Sequence, residues 1–210
     1  MTEKHRSGYA THMSQQSEFE LPDRRTLPEG FRYRSDVISA EQEEQLLQHI
    51  RDLPFQAFQF RGFEGKRRTV SYGWRYDFNQ RTLQEADPVP DFLRPIRVIA
   101  GRFAGLEPEA LEQITVIEYS PGSAIGWHKD RPMFGDVAGV SLVSATRFRF
   151  RRRSSKSWER AEQLVEPRSI YLLRGPARDE WEHSIPPVGT LRYSITMRTF
   201  RGLDATRAMD

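Results

Sequence analysis

Two stretches of this chain alternate in character with a period of two, and they most narrow what it can fold into. Arg147-Phe-Arg-Phe-Arg151 sets its phenylalanines on one side and its arginines on the other. Arg192-Tyr-Ser-Ile-Thr-Met-Arg198 sets Arg192, Ser194, Thr196 and Arg198 on one face, with Tyr193, Ile195 and Met197 opposite. Successive side chains point to opposite faces in a strand. Gln113–Ser120 is rich in β-branched residues and ends at the turn signal Pro121-Gly122, while Val137–Ser144 and Ser169–Leu173 are further strand-like runs. Helical spacing occurs earlier in the chain. Ser39 with Gln42 forms a capping-box pattern ahead of Leu46, Leu47, Ile50 and Leu53, and Pro54 ends the element. A second helix is predicted from Asp91, with the stripe Phe92, Leu93, Ile96, Ile99 and Phe103, a tolerated Pro95 near its start and a stop at Gly105. Helices followed by many strands predict an α+β, mainly β fold, with helices backing a sandwich or jelly roll.

At 210 residues the chain is long enough for one domain with a real core. Residues 1–28 are polar and aperiodic, which predicts a flexible N-terminal arm before a single domain over 29–210. With no cysteine, disulfides and thiolate metal sites are excluded. No apolar run reaches membrane-spanning length and no secretion signal opens the chain, so a cytoplasmic monomer is the expectation. The net charge is only +3, but basic residues cluster at Lys66-Arg-Arg68 and Arg147–Arg153 with aromatics nearby, a pattern that suits a polyanion.

Chemistry concentrates in His128, Asp130 and His183. If extended, the pair in Gly126-Trp-His-Lys-Asp130 points the same way, and His183 arrives from a distant strand. Two histidines and one carboxylate can occupy one face of an octahedral metal and leave three positions open, the donor set of non-haem Fe(II) oxygenases. The face with Arg192 and Arg198 suits a buried dianion, because a guanidinium fork binds carboxylates in a bidentate manner. An edge strand exposing charge has the same pattern.

Taken in order, Ile117-Glu-Tyr-Ser-Pro-Gly122, Gly126-Trp-His-Lys-Asp130, Val140-Ser-Leu142, Gly175-Pro-Ala-Arg178 with His183, and Arg192–Arg198 resemble the AlkB family of Fe(II)/2-oxoglutarate dioxygenases, from about residue 30 to about residue 200. The resemblance implies a double-stranded β-helix with supporting helices and a substrate lid. It implies His128, Asp130 and His183 as ligands of Fe(II). It places 2-oxoglutarate against Tyr119, Arg192, Ser194 and Arg198, with O2 as the third reactant. It also implies oxidative removal of N-alkyl groups, with release of succinate, carbon dioxide and formaldehyde. Where the family often has asparagine, this chain has Ile117.

The segment from Lys66 to Phe78 carries Tyr72, Trp74, Tyr76 and Phe78 two apart, so in an extended chain the rings share a face. Rings stack on bases and cations hold phosphates. By resemblance to the family's lid, Arg68, Trp74, Tyr76 and Phe78 are the candidate substrate contacts, and alkylated DNA or RNA is the expected substrate. Repair members of the family often place an acid two positions beyond the metal aspartate; here Arg131-Pro132 stands there, and Asp136 takes that role only if Met133-Phe-Gly folds back. Two alternatives stay open: the same oxidation of a protein side chain or small molecule, and a non-catalytic jelly-roll binding module.

Overall fold

A computed structural model describes residues 26–60, 63–77, 80, 82–155 and 157–202. The expected arm therefore lies, except for Thr26–Pro28, outside the described residues, and so does Phe78. The elements run in the order β1 (Phe31–Arg34), α1 (Ala40–Ile50), β2 (Gln56–Phe60), β3 (Phe63–Tyr72), β4 (Trp74–Asp77), β5 (Thr82–Glu85) and α2 (Arg94–Ala104). They continue with β6 (Gln113–Tyr119), β7 (Ile125–His128), β8 (Phe134–Leu142), β9 (Thr146–Arg153), β10 (Trp158–Val165), β11 (Ser169–Leu173), α3 (Pro176–Asp179), β12 (Glu182–Ile185) and β13 (Arg192–Phe200).

The major sheet has the order β1-β11-β8-β13-β6-β3-β2, and a smaller sheet has the order β10-β9-β12-β7. Their facing surfaces enclose one core, which includes Tyr119, Phe148, Phe150, Tyr171, Leu173 and Ile185. On its other face the major sheet packs against α1 and α2, burying Leu46, Ile50, Ile96, Phe103, Val116, Val140, Ile195 and Met197. This is the expected jelly roll backed by helices. β13 lies between β6 and β8, so its two faces serve two cores rather than water. The exposed-edge alternative for this strand is thereby removed.

Local chemistry sets the element ends. The capping box forms as predicted: Gln42 N–H donates to Ser39 Oγ at 3.2 Å, and Ser39 N–H donates to Gln42 Oε1 at 2.9 Å. The second helix is shorter than predicted, because Asp91–Leu93 winds as a 3-10 turn before α2. Gly105 ends α2 at φ 67°, a left-handed conformation that costs glycine little. The predicted row of four rings is broken by Gly73 at φ 72°, where a Cβ would sit 2.1 Å from the Glu112 carbonyl. Tyr72 falls on the helix side and is core, while Trp74 and Tyr76 belong to the separate ribbon β4–β5.

One close packing event shapes the inner core. Gly139 on β8 is the register partner of Tyr171 on β11, and a Cβ at Gly139 would lie 2.2 Å from Tyr171 Cζ. The phenol thus occupies the volume that any other residue at 139 would fill. Gly139→Ala is expected to destabilise the fold by about 1–3 kcal/mol through overpacking, measured by urea unfolding. Adding Tyr171→Leu should return part of that loss in a double-mutant cycle; strict additivity would mean the two groups do not collide.

Candidate active site

The two histidines face each other across the edge of the smaller sheet. His128 on β7 pairs with His183 on β12, and their ring centroids are 4.3 Å apart. His128 Nδ1 lies 2.9 Å from the Gly126 carbonyl. A carbonyl only accepts, so Nδ1 carries a hydrogen and Nε2 is the ring nitrogen left to face a metal. His183 stacks on Phe148 at 5.2 Å and is buried. Burial, helped by His128 and outweighing Asp130, pulls the His183 pKa down to about 3, so the ring is neutral at ordinary pH.

Asp130 reaches this pair differently from the sequence expectation. β7 ends at His128, so Asp130 lies in the turn beyond it rather than on the same strand. Arg178 holds that turn: its buried guanidinium donates to the carbonyls of Arg131 (2.6 Å), Phe134 (2.9 Å) and Gly135 (3.1 Å). Asp130 Oδ1 accepts from Arg198 Nε at 3.2 Å. Oδ2 is buried without a hydrogen-bond partner and stands 3.8 Å from His183 Nε2. Burial alone would raise the carboxyl pKa, but neighbouring positive charge, Arg198 above all, outweighs it and holds Asp130 well below the usual carboxylate range. An ionised, orphaned carboxylate oxygen beside two imidazole rings is the donor set that a divalent cation takes. Among the described residues no three His, Cys, Asp or Glu side chains are already closed to metal-ligand spacing. The fit of this set to iron rests on the donors and on the orphaned oxygen.

The arginine face of β13 lies behind these ligands. Arg192 is fully buried, 4.8 Å from the Tyr119 ring, and its Nε and Nη2 donate to Ser141 Oγ at 3.2 and 3.0 Å. Its Nη1 has no partner. Among the described residues no carboxylate pairs with it, and a buried charge left uncompensated costs several kcal/mol. A carboxylate entering here would remove that cost. Ser194, also buried, neighbours Ser141 and Ile117 in register. Arg198 bridges Asp130 and Gln113 Oε1, the latter at 2.8 Å. A small cavity of about 40 Å³ is walled by Tyr119, His128, Asp130, Tyr171, His183 and Arg198, among others, with Ile117 where an amide was absent from the sequence. Arg192 and Ser194 lie outside its wall.

Tyr171 is a site residue that the sequence motifs do not include. Burial, then Tyr119, raises its pKa to about 12, so it stays a protonated phenol facing the cavity. The signal for it is the glycine opposite, at a central position of a strand, which sequence alone does not pair with it.

The lid candidates divide. Trp74 meets Phe200 edge-on at 5.9 Å, and Arg131 lies 4.7 Å over the Tyr76 ring, so β4 sits against the segment that follows Asp130. Arg68 does not belong with them. It points to the helix side of the major sheet and is locked to Glu118 by bonds of 2.8 and 2.9 Å, with Tyr193 Oη donating to the same carboxylate. Arg67, one residue earlier, is on the site face; burial is the largest influence on it and lowers its pKa, with Tyr119 and Arg198 next. A shift of one residue in a strand exchanges faces. The partly buried Val70 and the buried Tyr72, two and four residues after Arg68, were the available signal. Asp136 does not fold back either: Arg174 Nε donates to its Oδ2 at 2.8 Å.

Comparison with known proteins agrees with this geometry. Residues 30–201 match the model of the 2OG-Fe(II) oxygenase superfamily. The chain is 27% identical over 164 residues to the uncharacterized protein L905 of Acanthamoeba polyphaga mimivirus, covering 75% of this chain and 73% of that protein. It is 28% identical over 194 residues to the alkylated DNA repair protein ALKBH8 homolog of Arabidopsis thaliana, covering 81% of this chain but about half, 52%, of that protein. The solved structure of OsALKBH1 superposes with a TM-score of 0.63 at 13% identity, over 83% of this chain and 98% of the other, a likeness of fold. A jelly roll that gathers two histidines, an ionised aspartate and a buried arginine face, and that matches the family model almost throughout its described length, belongs to the 2OG-Fe(II) oxygenase superfamily and is an AlkB-like member of it.

Proposed function

We propose that this dioxygenase removes N-alkyl groups from the bases of nucleic acid, with alkylated DNA or RNA as its substrate. The observation that carries this reading is the Tyr76 ring, stacked with Arg131 on a separate ribbon that leans on the segment just after Asp130. A ring and a guanidinium at the entrance to an oxidising centre suit a planar, charged or polar base taken out of its stack. The name of the plant relative, an alkylated DNA repair protein homolog, points the same way. Among the described residues no helix is long and apolar enough to cross a membrane.

His128, Asp130 and His183 hold Fe(II) in this proposal, and Tyr119, Arg192, Ser194 and Arg198 hold 2-oxoglutarate. When bound, the iron and 2-oxoglutarate together activate O2 and oxidise a substrate C–H bond, yielding succinate and carbon dioxide. The chain's own residues prepare this. Arg192 offers its unpartnered Nη1 to a carboxylate. Arg198 keeps Asp130 ionised and oriented, the neutral His183 presents a lone pair, and His128 has its Nδ1 tied to the Gly126 carbonyl, which leaves Nε2 for the metal. Tyr171 stays protonated, adding a neutral donor. Phe148, Val137, Leu173 and Ile185 keep the cavity wall apolar and exclude water. Trp74 and Tyr76 position the base, with Phe78 of the same segment outside the described residues.

Three outcomes follow. With Fe(II) and 2-oxoglutarate, oligonucleotides bearing 1-methyladenine or 3-methylcytosine should stimulate succinate and formaldehyde release, and His128→Ala should abolish it. Succinate release that no alkylated oligonucleotide stimulates would move the reading to a protein or small-molecule substrate. Arg192→Met should weaken 2-oxoglutarate binding by about 30-fold or more, the effect of removing one partner of a buried charge pair, measured by calorimetry with the fold checked by circular dichroism. The metal-free protein should lose stability as pH falls. Between about 6.5 and about 3 the unfolded chain binds a proton at His183 that the folded chain refuses. Asp130, depressed in the fold, adds a loss only below its unfolded value near 3.8. Urea midpoints across pH 7 to 4 should fall for wild type and flatten for His183→Asn.

A further inference from the structure

The outer face of the smaller sheet carries a ladder of alternating indole and guanidinium groups that the active site does not use. β9 turns Phe148 and Phe150 into the core, which leaves Arg147, Arg149, Arg151 and Arg153 on the opposite face. Trp127, on β7, lies under Arg149 at 5.1 Å and Arg151 at 4.6 Å. Trp158, on β10, lies under Arg151 at 4.5 Å and Arg153 at 5.5 Å. Register brings Arg160 and Glu162 of β10, and Glu182 and Ser184 of β12, onto the same face.

The face is not self-neutralising. Arg147 pairs with Glu162, and Arg151 pairs with Glu182 at 2.5 Å. Among the described residues no carboxylate lies at ion-pair distance from Arg149, Arg153 or Arg160, and Arg149 Nε donates only to Ser184 Oγ, at 3.1 Å. Trp158 remains 38% exposed, which is large for an indole and leaves ring surface available. Charges kept only for sheet stability would be matched by acids across the strands; here the excess is presented outward.

Position adds direction. Trp127 immediately precedes His128, so the outer face of the strand bearing the first metal-ligand candidate begins the ladder at one sheet edge. It ends at β10, the other edge, three strand spacings or ~14 Å away. We infer that this face is a docking track for a single strand of nucleic acid, with Arg149, Arg153 and Arg160 on phosphates and Trp158 stacked on a base. Alternating cations and rings match a polymer that alternates phosphates and bases. The inference rests on the proposed nucleic-acid substrate, and its deciding measurement is strand binding, separate from turnover.

The test is fluorescence anisotropy with unmodified fluorescein-labelled dT15 and U15 strands, titrated from low to physiological salt, on the full chain. Arg153→Glu with Arg160→Glu should weaken binding by about tenfold or more and flatten the salt dependence, as expected when phosphate contacts are removed. Trp158→Ala should weaken it by about five-fold or more, and Trp158→Phe should keep most of the affinity. Oxidation of a methylated trinucleotide, too short to use the track, should be unchanged in all three variants. Wild-type affinity for both strands in the folded double charge-reversal variant would overturn the inference. So would binding of wild type to phosphatidylglycerol vesicles through Arg153 and Arg160 with no binding of either strand. If the strands dock through this face but no alkylated base is oxidised, the track stands and the proposed substrate falls; trinucleotide oxidation with unaltered strand affinity gives the reverse.

Discussion

The contact between Arg198 and Asp130 is the one on which the site depends. A carboxylate taken between two sheets loses its hydration and tends to take up a proton. Arg198 Nε, 3.2 Å from Oδ1, offsets that tendency and uses only one oxygen, so the other remains ionised, buried and without a partner beside His183. Gln113 fixes the far side of the same guanidinium. Because Arg198 is on the central strand of the major sheet and Asp130 is in a turn leaving the smaller one, the pair also ties the two sheets together at the site. Removing either member therefore leaves the other charge buried and alone, which is far worse than losing both.

The same logic runs along β13 in the opposite sense. Arg192 has the burial of a core residue, with the Tyr119 ring beside it and a serine hydroxyl to accept its hydrogen bonds. Burial and isolation cannot both favour a charge, so this arrangement costs stability that a bound anion would offset. The helix-backed core on the reverse face of β13, with Tyr193, Ile195 and Met197, gives the strand the packing that makes such a cost tolerable. Glu118 illustrates the contrast: on that reverse face its charge is met by Arg68 and Tyr193, so it is a satisfied structural anion and not a site residue.

Legibility in the sequence followed the regularity of the backbone. β9 was readable because it buries one strict face, β13 because it alternates polar and apolar side chains between two cores, and the capping box of α1 because its two hydrogen bonds are local. The histidines and arginines of the site were legible through motif order. Failure came where the backbone departs from a plain strand. β7 stops at His128, so Asp130 lies in a segment held by Arg178 and not on the strand, although it lines the same cavity as His128. Gly73 breaks the row of aromatics, which moves Tyr72 to the core and leaves Arg67, not Arg68, on the site face. β10 was not read as a strand, since only Ala161 and Val165 of it are buried and its remaining residues are polar or exposed. Tyr171 was missed because its meaning depends on Gly139, which is distant in sequence and adjacent only in register.

These departures also concentrate the chemistry of β7 and the turn after it. Within four residues the chain places Trp127 on the outer face, His128 toward the cavity, Lys129 on the Asp179 carbonyl at 2.8 Å, and Asp130 on Arg198. The strand β7 ends at His128, yet His128 and Asp130 line the same cavity. Ending it at His128 frees the next residues to follow Arg178, whose three carbonyl contacts hold the segment through Gly135. Arg131 is thereby turned toward Tyr76, and Asp136 is turned away to Arg174. The rim of the site beside Asp130 is consequently cationic and aromatic.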